Sequence, residues 1–468
     1  MNKNSHDSIT FIIMGASGDL TKRKLIPAIY ALLYHKKINS CAIVGTALSD
    51  TTAEAILESA AAFIPQKDPE VWQKLVDSFV YIRADFYRDS DYDLLHETIT
   101  KIEQQKKLAG NRIFYFATMP EHFAPITNKL AIHGFIKKGT PPTIGWTRVV
   151  YEKPFGDNFR SAQTINEQIA RIFHEDQVFR IIHYLGKEIV GNIALLRFTN
   201  LFFQPLWNNQ YIESVEISIN EKIGIENRGE YYDKYGVLKD VVQNHLLQML
   251  ALVAMEPPTT LSGESIRDQK AAVLQKTKID SMLLGQYQGY QQEAHVKPGS
   301  KTPTFAALKL SINNERWKGV PFFLKTGKFL HKKEASIHIK FKQIPCLLLE
   351  NCPVDSNYLT ISIEPDEGFF LEINAKKPGL NYAITPVTMN FCHQSLFGPN
   401  TTQAYEALLA DVIKNDQSVF VRADEIEYAW KIIEDQIEND HLYQYAPGST
   451  GPLELQEWSK QINIRWRS

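Results

Sequence analysis

The chain has 468 residues, 44% hydrophobic and 22% charged, enough for two or three domains with a core in each, which excludes a disordered or fibrous protein. Lys and Arg total 51 against 53 acids, for a formal net charge of -2, so no overall field would hold nucleic acid or an anionic membrane and any anion site must be local. The cysteines, Cys41, Cys346, Cys352 and Cys392, are sparse and show no CxxC or His-rich spacing, so we expect a reducing compartment, no disulfide and no metal. Residues 1–8 lack the apolar core of a signal peptide, and the longest apolar stretch, 246–255, contains Gln248 and is too short to span a bilayer. The expectation is a soluble cytoplasmic protein without a membrane partner.

Apolar, β-rich runs at 9–14, 41–44, 113–117 and 148–151 alternate with amphipathic stretches near 21–35, 52–64 and 90–107. That alternation predicts a Rossmann-like, doubly wound parallel sheet, an α/β domain assigned to residues 1–180. Beyond Arg180 longer strands at 214–220, 335–341, 358–364 and 368–375 follow one another. Helices are expected near 240–255, 264–276 and 402–414. This second region, 181–468, reads as a larger α+β domain built on a mainly antiparallel sheet.

The first run turns directly into Gly15-Ala16-Ser17-Gly18-Asp19-Leu20-Thr21. Glycines three apart at a strand-to-helix turn let the backbone approach a pyrophosphate at the helix N-terminus. Alone the pattern is weak, since such glycines often serve only the turn. Lys22, Arg23 and Lys24 add charge that suits either a solvated face or a nearby anion.

Residues 15–25 (GASGDLTKRKL) resemble the opening signature of the glucose-6-phosphate dehydrogenase family. Further segments fit it in order: 152–156 (EKPFG), 183–188 (HYLGKE), 231–250 (YYDKYGVLKDVVQNHLLQML) and 320–333 (VPFFLKTGKFLHKK). Ala446-Pro447-Gly448-Ser449 with Gly451-Pro452 resembles its C-terminal end. The resemblance implies NADP bound by Gly15, Ser17, Gly18, Asp19, Leu20, Lys24 and Lys153. It implies glucose 6-phosphate held at its phosphate by His183, Tyr184, Lys187 and Lys333, and at its hydroxyls by Lys153, Glu221, Asp240 and Lys328. His245, which in an apolar helix would otherwise read as a core residue, becomes the general base for hydride loss from C1. The resemblance also implies a homodimer or homotetramer formed through the large sheet, so that residues 181–468 serve both substrate binding and oligomerisation.

Two departures matter. The family commonly places an aspartate, partner of the catalytic histidine, where this chain has Ile182, and an arginine for the NADP 2′-phosphate where it has Leu48. NAD therefore stands beside NADP as a cofactor. Lys333 replaces an arginine found in some relatives and keeps the charge without the planar fork. Three readings follow: an active glucose-6-phosphate dehydrogenase, a catalytically weakened homologue that binds sugar phosphate or nucleotide in a regulatory or subunit role, or an oxidoreductase for another phosphorylated sugar.

Overall fold

A computed structural model describes residues 8–136, 145–343, 355–379, 383–392, 395, 403–434 and 441–467. Cys346 and Cys352, for which no disulfide is expected, lie outside the described residues. The chain forms two units: Met1–Gly186 with Thr260–Arg267 and Thr402–Glu427, and Lys187–Thr259 with Asp268–Thr401 and Tyr428–Ser468. Among the described residues no helix is long and apolar enough to cross a membrane.

In the first unit, β1 (Ser8–Met14), β2 (Ser40–Ala47), β3 (Phe79–Arg83), β4 (Arg112–Phe116), β5 (Thr147–Glu152) and β6 (Val178–Ile181) form a six-stranded sheet in the order β3-β2-β1-β4-β5-β6. Every pairing is parallel. Parallel sheets are covered on both faces, so their strands are apolar without alternation. Strand β1, SITFIIM, is accordingly buried from its second residue onward. The helix Ala404–Lys414 belongs to this unit: Leu408, Leu409 and Val412 share a core with Leu25, Ile29 and Ile43. Arg148, buried on β5, stacks 3.8 Å from the Trp146 ring and donates to the carbonyls of Val412 and Ile413 at that helix's last turn (2.5 and 2.7 Å). A buried cation is tolerated there because free carbonyls and the negative end of the dipole face it.

The second unit is organised by β7 (Ile212–Asn220), β8 (Thr277–Tyr287), β9 (Phe305–Ile312), β10 (Phe322–Gly327), β11 (Glu334–Phe341), β12 (Tyr358–Glu364), β13 (Gly368–Lys376), β14 (Ile384–Cys392) and β15 (Leu442–Tyr445). Their order is β14-β13-β12-β11-β7-β10-β9-β8-β15. Neighbours are antiparallel except β7 with β10 and β8 with β15. The architecture is thus the expected α/β sheet followed by a larger, mainly antiparallel α+β body.

Two expected elements differ in kind: near 21–35, Thr21–Leu25 is wound with i→i+5 bonding before the α-helix Ile26–Tyr34, and a longer wide-wound segment follows in the second unit. The periodicity at 240–255 predicts a single α-helix. The structure instead winds Leu238–Leu246 with i→i+5 bonding before an α-helix at Leu247–Ala254. Asn244 contributes a cause, since its side-chain amide donates to the Lys239 carbonyl five residues earlier (2.9 Å). Such wide turns are uncommon and concentrate at functional sites.

Candidate active site

The predicted residues of the first unit gather at the carboxyl ends of its strands, where open parallel sheets bind ligands. Gly15 follows β1 directly with φ +96°, and a Cβ there would stand 2.4 Å from the Ala117 carbonyl oxygen. Only glycine fits at that position, and the turn leads through Ser17, Gly18, Asp19 and Leu20 into a helix. The Gly18 amide donates to Gly15 O (3.0 Å), and Thr21 Oγ1 closes on the same carbonyl (3.3 Å). These features suit a dinucleotide pyrophosphate. Asp19 is exposed and ion-paired with Arg23 (2.7 Å), whose guanidinium also lies over Phe63, and Lys24 is exposed one turn along.

Lys153 stands one residue beyond β5, with its peptide bond to Pro154 cis. Beside it Glu152 accepts hydrogen bonds from Tyr115 and from Tyr405 (3.1 Å). Burial raises the Glu152 carboxyl above its usual range, against the opposing pull of these hydroxyls and of Lys153. His183 and Tyr184 lie just beyond β6 with ring centroids 4.9 Å apart. Ile182, next to them, is buried.

In the second unit the predicted residues line one end of the large sheet, and strand register explains why. Asn220 ends β7 and pairs with Gly327, the last residue of β10. Two parallel strands thus stop together, and the next residue of each, Glu221 and Lys328, form an ion pair at 2.6 Å. Asn220 also pairs with Glu334, the first residue of β11, so Lys333 enters at the same level. Lys187 precedes the helix Glu188–Thr199. Lys187 and Lys333 both reach Glu364, the last residue of β12, at 2.8 and 3.0 Å.

Asp240 and His245 are both buried in the wide-wound segment. Residues five apart fall on different faces of an α-helix, whereas i→i+5 bonding sets them one turn apart. Tyr231 donates to Asp240 Oδ1 (3.1 Å), and the Lys328 ammonium lies 5.5 Å from the Tyr232 ring centroid. Burial first, then the charge of Asp240, pushes both phenols far above their ordinary titration, so both stay neutral. Among the described residues no group of three or more His, Cys, Asp or Glu could hold a metal ion.

Comparison with known proteins agrees with this geometry. The family model for the glucose-6-phosphate dehydrogenase NAD binding domain matches residues 12–192, and that for the C-terminal domain matches residues 194–467. The chain belongs to the glucose-6-phosphate dehydrogenase family. The glucose-6-phosphate 1-dehydrogenase of Chlamydia pneumoniae is 37% identical over 97% of this chain and 95% of its own. That of Bacillus subtilis (strain 168) is 37% identical over 100% and 99%. A solved glucose-6-phosphate dehydrogenase in complex with its substrate glucose 6-phosphate superimposes with a TM-score of 0.91, at 33% identity and full coverage of both chains.

Against this family background, four residues escaped the sequence reading. Tyr231 and Tyr232 lay inside a quoted motif, yet only the fold shows them beside Asp240 and Lys328. Glu364 is far in sequence from either lysine it joins. The fourth is Arg83, which ends β3 and whose Nε donates to the carbonyl of Leu48 just past β2 (3.1 Å). Tyr81 OH lies 3.0 and 2.7 Å from the Ala47 and Ser49 carbonyls, and the Ser49 and Ser17 hydroxyls meet at 2.8 Å. A guanidinium thus stands where Leu48 brings none, carried by the neighbouring strand.

Proposed function

We propose that the chain oxidises D-glucose 6-phosphate at C1 to 6-phospho-D-glucono-1,5-lactone, with NADP or NAD as oxidant, the first step of the oxidative pentose phosphate pathway. The nucleotide falls to residues 1–180, and self-association with all of the substrate binding but that of Lys153 to 181–468. The observation that carries the reading is the joint ending of β7 and β10, which sets the Glu221–Lys328 pair at the same sheet end as Lys187 and Lys333.

His245 takes the proton of the C1 hydroxyl on its imidazole, and as that oxygen becomes a carbonyl the C1 hydrogen departs with its electron pair. A bound nicotinamide nucleotide supplies the hydride acceptor. Glu221, Asp240, Lys328 and Lys153 hold the sugar hydroxyls in fixed orientation, which lowers the entropy cost of reaching the transition state. His183, Tyr184, Lys187 and Lys333 hold the phosphate, so that binding energy gained away from C1 fixes the reacting carbon. Gly15, Ser17, Gly18, Asp19, Leu20, Lys24 and Lys153 receive the nucleotide. Arg83 favours NADP and Asp50, also close to Tyr81, opposes it, so both nucleotides are accepted.

Self-association through the large sheet is supported by β14, its edge strand, where Met389 is 60% exposed and Val387 38%. The sparse cysteines support a cytoplasmic setting. The test of function is NAD(P)H absorbance with purified protein and glucose 6-phosphate. Turnover with either nucleotide that His245→Asn abolishes is expected, and a wild-type chain inactive with both would sink the reading.

A further inference from the structure

Two lysines assigned to the substrate phosphate already share an anion that belongs to the chain. Lys187 Nζ lies 2.8 Å from Glu364 Oε1, and Lys333 Nζ lies 3.0 Å from Glu364 Oε2. Each carboxylate oxygen thus faces one ammonium, as two oxygens of a phosphate would. Lys187 also donates to the Ile363 carbonyl (3.4 Å) and stands 3.7 Å from Glu367. The Lys187 and Glu364 side chains are each only 18% exposed, whereas Lys333 is 66% exposed. The inner pair is therefore the stronger, and the outer one is partly screened. Burial by itself would raise the Glu364 carboxyl, yet the two lysines hold it below the usual carboxylate range, so it is ionised at neutral pH.

We propose that Glu364 is a built-in counter-anion: it clamps Lys187 and Lys333 together in the free enzyme, and the sugar phosphate binds by displacing it. The proposal rests on those lysines being the phosphate ligands. Two ammonium groups and one carboxylate leave the cluster with a charge of about +1, and Glu367 lowers it further, which is a poor site for a dianion. Two further lysines of the same loop and strand ends are held by carboxylates of their own, Lys332 by Glu334 (3.0 Å) and Lys328 by Glu221 (2.6 Å). A carboxylate and a phosphate cannot both occupy the lysine pair without strong like-charge repulsion. Displacement takes one of these negative charges off the lysine pair and leaves the lysines where the carboxylate had held them. The affinity for phosphate is thereby tuned downward, and a free inorganic anion, with no sugar contacts to offset the exchange, binds weakly.

The test is calorimetric titration of the full chain with inorganic phosphate, alongside KM for glucose 6-phosphate and for the nucleotide. Glu364→Gln should bind inorganic phosphate about tenfold more tightly, equivalent to about 1.4 kcal/mol. Its KM for glucose 6-phosphate should fall, with the KM for nucleotide unmoved. Glu364→Asp, too short to span both ammonium groups, should fall between, and serves if the Gln variant does not melt like wild type. Unchanged or weaker phosphate binding by the folded variants overturns the proposal. So does a higher KM for glucose 6-phosphate, which would make Glu364 a substrate ligand. Lys187→Ala in the wild-type background checks the premise separately: if phosphate affinity does not drop, the assignment of the lysines fails, and the proposal with it.

Discussion

A single proton decides the chemistry. General-base contributions run to about 10²–10⁴-fold, so His245→Asn should lower kcat by that order in the absorbance assay. A carboxylate behind a catalytic histidine orients it, and the chain carries Ile182 at the position the family uses. Ile182→Asp should therefore raise kcat, and an unchanged or lower value would show that this chain orients its base in another way. The proposed balance of nucleotides can be tested at one side chain. Arg83→Ala should weaken NADP binding by about tenfold, as expected for loss of one charge-assisted contact, while NAD binding measured by the same titration stays level. Neither Arg83 nor Glu364 was legible in the sequence, because each acts on groups that only the fold brings near: Arg83 on the Leu48 carbonyl of a neighbouring strand, Glu364 on lysines placed by a helix and by another strand. Leu48 and Ile182, by contrast, stood out at once, since a missing charge inside a recognised motif needs no coordinates.

At the level of elements, the proposed site is largely a set of strand ends. The alternation of apolar runs and helices foretold the parallel sheet, and the glycines of Gly15 to Thr21 foretold the strand-to-helix turn that follows β1. What could not be foretold was register: Glu221 and Lys328 become partners because β7 and β10 pair Asn220 with Gly327, and nothing local in either segment announces a parallel match. The wide winding of Leu238–Leu246 was hidden for a related reason, because apolar spacing there fits an ordinary helix and the Asn244-to-Lys239 bond involves no distinctive motif. The glycine turn gives a direct test of element geometry. Gly15→Val sets a branched side chain against the Ala117 carbonyl, 2.4 Å from where the Cβ must go, at a positive φ that branched residues avoid. Nucleotide binding should be lost in equilibrium titration, with destabilisation of about 2–4 kcal/mol seen as a lower melting temperature.

For the whole molecule, acid sensitivity is set by opposing buried groups on the large sheet. Burial, then the charges of Arg467, Lys325 and Lys332, push His338 down to about 3. The native state then binds fewer protons than the unfolded chain between pH 6.5 and 3, so this group costs stability as pH falls, about 2 kcal/mol by pH 5. Burial pushes Glu216 up to about 7 against the pull of Lys325, so the native state binds more protons between pH 7 and 4.5 and gains stability over the same descent. The two slopes offset each other. His338→Gln should therefore melt relatively higher at pH 5 than at pH 7 compared with wild type, and Glu216→Gln relatively lower, in scanning calorimetry at both pH values. Strand β7, the middle of that sheet, has a further consequence for how the chain is made. It ends at residue 220, yet both its neighbours, β10 and β11, come from residues 322–341. During synthesis or refolding it must wait with both rows of peptide groups unsatisfied, a template for any second copy at hand. The Glu221–Lys328 pair can form only once that later stretch has been made and has folded against β7.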